Sequence, residues 1–261
     1  MSAHIITDIT QQFSHATVGW HAYLFPIANK LFATLAIIEL TWAGIWWALE
    51  KQDANSLWLE MLKRLVSIGI FYSILLYSDK WIPAIISSFI AIGAGASHRT
   101  QLFPSDVFEQ GVSISTHIFA VFHSIGIFSF GMGTLVGAFA GLVVLLSFVV
   151  ITGLLVVTLV ESYIVLGAGI LLLGFASNRL SAKFATNYTS YAMSVGVKLF
   201  MLYLILGVGS TIADGWIALF NNNGVQLEIV PFLEVSGGAL VYLFCAWAIP
   251  QKAESLMSGA T

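Results

Sequence analysis

Charge is what this chain has least of: Asp, Glu, Lys and Arg make up 9% of its 261 residues, where a soluble domain carries roughly a quarter. With 58% hydrophobic residues and a mean hydropathy of +0.91, a soluble fold of this size could not hide its apolar surface. A water-soluble globule is excluded, and lipid is the expected solvent for most of the polypeptide. The net charge of −3 leaves no basic footprint, so no strong direct nucleic-acid binding is expected. Cysteine is nearly absent, and the lone Cys245 excludes an intrachain disulfide. The six histidines have no zinc-type spacing. His117 and His123 share a helical region without making a metal site. There is no G-x-x-x-x-G-K-[ST] loop, no H-E-x-x-H pair and no G-x-S-x-G elbow. The chain is therefore not expected to be an enzyme, and no cofactor or metal is expected beyond bound phospholipid. No Lys or Arg precedes Lys30, so no cleavable secretion signal is expected either. The first long apolar segment would direct insertion itself.

What is present is apolar sequence divided by short polar breaks, which points to an all-α polytopic membrane protein. Residues 1–25 place Ile5, Ile9, Phe13, Trp20 and Leu24 on one helical face. That is the pattern of an amphipathic helix on a membrane or partner, with a frayed tail as the alternative. Residues 26–78 form a first transmembrane hairpin. Its first span covers residues 26–49, with Pro26 at the helix start and Trp42, Trp46 and Trp47 in the aromatic belt at its far end. Its second span covers residues 57–77, with Lys63 and Arg64 near the start. Residues 79–130 read as a periplasmic or interfacial helical module. Within it, residues 83–97 are too short for a clear span, and Asp106 offers an N-cap with Glu109 three residues on. The next helix presents Phe108, Val112, Ile118, Phe122 and Ile125 on one side. Residues 131–252 form a second transmembrane bundle, and residues 253–261 a short tail.

Residues 130–176 are apolar almost throughout. As one straight helix they would run ~70 Å, over twice the hydrocarbon thickness. The segment must bend, extend beyond the membrane, or cross twice with a break near residues 158–162, where Glu161 interrupts it. Cation placement favours one crossing. That arrangement puts Lys51, Lys63, Arg64, Arg179, Lys183 and Lys252 on the cytoplasmic side. It yields five spans with the N-terminus periplasmic and the C-terminus cytoplasmic; two crossings yield six.

Three ionisable residues fall inside apolar runs: Glu39, Glu161 and Lys198. Such groups must be paired, protonated or facing water. Lys198 either snorkels to the interface or pairs with Glu39 or Glu161, within one chain or across a subunit boundary. Gly133, Gly137 and Gly141 form a small-xxx-small ladder that permits close helix contact, within the chain or between subunits.

Residues 161–209 read as a helix leaving the membrane, a short basic turn holding Arg179 and Lys183, and a helix returning. The turn GFASNRLSAKFATNYTSYAMSVGVKLF resembles that of the TrbL family, inner-membrane proteins of conjugation and type IV secretion machines. The likeness rests on Ser177 to Arg179, Ala185 to Tyr188 and Ser194 to Leu199. It implies a subunit of a homo-oligomeric ring, a pentamer, in the bacterial inner membrane. The ring would support pilus assembly and substrate transfer beside other secretion subunits, pilin and a pilus-tip protein, with separate ATPases supplying energy. Two rival classes stay open on the residues alone. The intramembrane charges suit a secondary transporter or ion channel, and an assembly factor without a pore would need no lumen.

Overall fold

The computed structural model describes residues 5–50, 54–97, 102–123, 132–222 and 229–258. These residues are helical, with no strand among them. In order they form α1 (Ile5–Glu50), α2 (Ala54–Leu76), α3 (Ser78–Ala96), α4 (Pro104–His123), α5 (Met132–Ala168) and α6 (Ile170–Leu173). A 3-10 turn (Gly174–Ser177), α7 (Ala182–Asn222) and α8 (Ile229–Ser258) follow. The protein is all-α and polytopic. Among the described residues, four helices are long and apolar enough to cross a bilayer: Ile5–Leu49, Leu135–Ala168, Ala182–Phe220 and Val230–Ser255. The expected second span, α2, falls short because its first half carries Glu60, Lys63 and Arg64, charge that lipid tolerates only at a cost.

The chain folds as two compact units, Met1–Gln11 with Ser88–Leu159 and Val197–Thr261, and Gln12–Ser87 with Val160–Gly196. In the first unit the core is built on Ile114, Ile118, Phe148, Leu199, Leu202 and Leu206, each at most 1% exposed. Here α4 and α5 pack through a glycine notch. A Cβ on Gly111 would sit 2.3 Å from the Cβ of Phe148, so only glycine allows the approach. The hydroxyl of Ser115 donates to the Gly141 carbonyl at 3.1 Å. The buried stripe of α4 is therefore Val107, Gly111, Ile114 and Ile118. Of the expected side, Ile118 is in it, while the Phe122 side chain and Ile125 lie outside what the structure describes. Phe108 and Val112 are half-buried, because the line of closest approach runs through the small residues.

Two further expectations about local structure are corrected. Pro26 lies inside α1 and does not start a helix; helices in lipid accommodate an interior proline by re-satisfying the freed backbone groups. Within residues 5–25 the buried positions are hydroxyl residues, and the apolar face is left open. Ile5, Ile9 and Phe13 are exposed, while Thr7, Thr10 and Thr17 are buried, small hydroxyl residues again permitting the tighter contact. Thr7 shares a 2.7 Å hydroxyl contact with Ser105. At α4, Asp106 is the third helical residue. Pro104 occupies the first position, and the Asp106 carboxylate accepts the Phe103 N–H at 2.8 Å, the reciprocal half of a capping box.

From Met132 to Ala168 the apolar run is a single helix. α5 is 37 residues long, ~55 Å at 1.5 Å per residue. It is unbroken where Glu161 suggested an interruption, since the Glu161 carboxylate accepts the Tyr191 hydroxyl. The break comes at Gly169, where a Cβ would meet the Tyr188 ring at 1.9 Å. A second crossing needs a reversal of direction, and Met132–Ala168 contains none.

Candidate functional site

In the second unit, the basic turn between α6 and α7 is held by side chains from elsewhere in the unit. The 3-10 turn ends at Asn178, whose extended backbone (φ −115°, ψ 134°) stops the helix. Its side-chain carbonyl accepts the Leu180 N–H at 2.9 Å, an Asx turn. Its backbone carbonyl accepts from Ala182 at 2.7 Å, opening α7. The Ser181 hydroxyl donates to the Phe175 carbonyl at 2.8 Å. These local bonds define the shape of the turn.

Two longer-range bonds tie the turn to α1. The buried Ser177 hydroxyl donates to the Phe32 carbonyl at 2.7 Å. Seven residues on, two helical turns, Glu39 accepts the Arg179 N–H at 3.3 Å. The second carboxylate oxygen of Glu39 accepts from Arg64 of α2 at 2.8 Å. Arg64 extends its other terminal nitrogen to Glu60 at 2.6 Å. One guanidinium thus bridges two carboxylates, and one carboxylate bridges α2 and the turn. The pair Glu39–Arg64 is largely withdrawn from solvent, at 7% and 15% side-chain exposure. Glu60 is exposed.

Two cavities flank this latch. One, of about 610 Å³, opens on Trp42, Trp46, Asn178 and Leu180. The other, of about 760 Å³, opens on Lys63, Ser67 and Ser177. Glu39, Glu60, Arg64 and Arg179 line both. Trp42 and Trp46 meet edge to face with ring centroids 6.3 Å apart.

The structure distributes the residues singled out from sequence. Glu39 pairs with Arg64, not with Lys198. Lys198 lies 3.3 Å from Glu254 of α8, in the segment taken for a tail. Arg179 and Lys183 are exposed, as expected of a solvated turn. Gly141 packs against Phe119 and Ile118 of α4, an intrachain contact. Gly137 is buried one turn earlier on α5, and Gly133 stands one turn before that. Among the described residues, no group of three potential metal ligands comes together. Sequence reasoning took Arg64 only as a topology marker. Its i, i+4 spacing from Glu60 was the available signal for a charge-bearing face. Ser177 stood out only in the family likeness, and nothing local pointed to Glu254.

Residues 36–249 match the family described as TrbL/VirB6 plasmid conjugal transfer protein. The matched span contains Glu39, Arg64 and the whole turn. A protein of Rhizobium radiobacter named "Conjugal transfer protein TrbL" is 29% identical over 257 residues, covering 98% of this chain. One of Sinorhizobium fredii (strain NBRC 101917 / NGR234), named "Probable conjugal transfer protein TrbL", is 27% identical over the same length. The chain spans 64% of the length of each of these relatives.

Proposed function

The chain belongs to the TrbL/VirB6 family of plasmid conjugal transfer proteins, and we propose that it is an inner-membrane scaffold and channel subunit of a conjugation machine. The family match over residues 36–249 carries this reading. The protein is a multi-pass membrane protein with four long apolar helices among its described residues. In our reading, α2 crosses as a fifth span, which puts the N-terminus in the periplasm and the C-terminus in the cytoplasm, and several copies close into a ring, a pentamer. The ring supports pilus assembly and passage of the transferred substrate, in contact with other secretion subunits, pilin and a pilus-tip protein. Phospholipid fills the grooves between its helices. Its role is structural: ATPases elsewhere in the machine do the work, and this chain does not grip DNA. Large apolar side chains on the outward face of α1, Ile5, Ile9 and Phe13, support an arrangement in which lipid or a neighbouring subunit covers them.

Removing the gene from a donor strain and restoring it in trans tests the transfer role. Mating frequency should collapse without the protein and recover with it, while growth stays unchanged. Transfer at the parental frequency would overturn the reading. Class averages of detergent-purified protein viewed down the particle axis should show five-fold symmetry around a lumen. A closed ring without a lumen would favour an assembly factor over a channel subunit.

A further inference from the structure

We propose that the paired cavities around the Glu39–Arg64 latch form a specific site for the headgroup of an anionic phospholipid, with Lys63 and Arg179 as the phosphate ligands and Trp42 and Trp46 as the interfacial wall. The charge balance leads to this ligand. Glu39 and Arg64 cancel as a hydrogen-bonded pair at 2.8 Å. Glu60 is negative, while Lys63 and Arg179 are positive, exposed and line the same cavity as Glu60. One positive charge is left over, and a single phosphodiester neutralises it. A zwitterionic headgroup would leave it uncompensated.

The second observation is the lining. The cavity of about 610 Å³ is lined, besides the latch residues, by apolar and aromatic groups. Trp42 is 57% exposed, Trp46 49% and Leu180 94%. Such side chains are costly to leave in water and suit the glycerol and upper acyl region of a lipid, the level where tryptophan collects. A free anion would need the cations and leave this wall bare. A lipid uses both halves. The latch itself supplies rigidity: Glu39 and Ser177 hold the turn on α1, so the Arg179 backbone is fixed at the cavity before any ligand arrives.

The inference rests on the multi-pass membrane reading and not on the transfer role, so a lipid titration and a mating assay can fail separately. Delipidated full-length protein in dodecyl maltoside is titrated with phosphatidylglycerol, phosphatidylcholine or inorganic phosphate, with bound lipid counted by native mass spectrometry. Phosphatidylglycerol should be retained in preference to phosphatidylcholine. The double variant Lys63→Gln/Arg179→Gln should weaken that retention about fivefold for each cation removed. Lys183→Gln, an exposed cation outside the cavities, should leave it unchanged. Equal retention by the double variant, competition by inorganic phosphate, or an equal loss in Lys183→Gln would each overturn the proposal. Tryptophan quenching by brominated lipid reads the same site without altering its charge. Quenching should be greater in brominated phosphatidylglycerol than in brominated phosphatidylcholine, and that excess should vanish in Trp42→Phe/Trp46→Phe. An excess that persists would overturn the proposal.

Discussion

Two close contacts in this protein are secured by opposite means. In the first unit, α4 meets α5 through a notch: Gly111 lies against the Cβ of Phe148, with no charge involved. In the second unit, α1 meets α2 and the basic turn through a latch, Glu39 binding Arg64 and the Arg179 N–H. A notch gains only dispersion, but it loses no hydration. A latch gives up the hydration of two ions and recovers it only when every partner is in place. The notch therefore tolerates any neighbour that is small enough. The latch tolerates one arrangement of three segments, which suits a turn that must present its cations in a defined position.

The largest expected effect tests the latch. Glu39→Ala strands a mostly buried guanidinium and should lower stability by about 3 kcal/mol, the low end for breaking a buried pair because Glu60 still holds Arg64. Thermal unfolding in detergent would show it. Glu39→Leu/Arg64→Met, which replaces both ions by apolar groups, should fall within about 1 kcal/mol of wild type. If the single and double variants are equally mild, the latch is not a latch.

Next comes the notch. Gly111→Ala should cost about 2 kcal/mol by overpacking. Phe148→Ala should not rescue it, since the colliding atom is the Phe148 Cβ itself. Rescue would mean the contact yields through the ring, and the contrast with the latch would weaken. Smaller still, Ser177→Ala removes one bond from the turn to Phe32 and should cost about 1 kcal/mol, read from the same melting curve. Smallest is Gly141→Ala, expected at under about 1 kcal/mol because its nearest neighbours are ring atoms of Phe119, a side chain 40% exposed and able to turn aside. A cost equal to that of Gly111→Ala would show that side-chain freedom is not what separates the two positions.

Much of the site was visible before the fold. Arg179, Lys183 and Asn178 interrupt an apolar run, and such an interruption reads as a solvated turn. Glu39 stands alone in apolar sequence, which required a partner. Its identity was not visible, because Glu39 and Arg64 are 25 positions apart and Glu39 and Arg179 are 140 apart. Lys198 illustrates the same limit. The need for help was legible from its depth in α7, while Glu254 looked like tail. The side of α1 buried within the chain was not legible for a related reason. Apolar periodicity marks the face that avoids water, and in lipid the packed face is the one with small side chains, so Thr7, Thr10 and Thr17 are inside while Ile5 and Ile9 are not.

The amino-acid sequence alone determined that this protein lives in lipid, is built of helices and turns back at a basic loop. Those outcomes depend on sums over composition and on neighbours a few residues apart, which any arrangement of the chain preserves. Only the tertiary structure decided which carboxylate meets which cation, which glycine touches which ring and where the long apolar helix ends. Each of those depends on atoms from distant segments arriving within about 3 Å of one another, a condition no linear pattern contains.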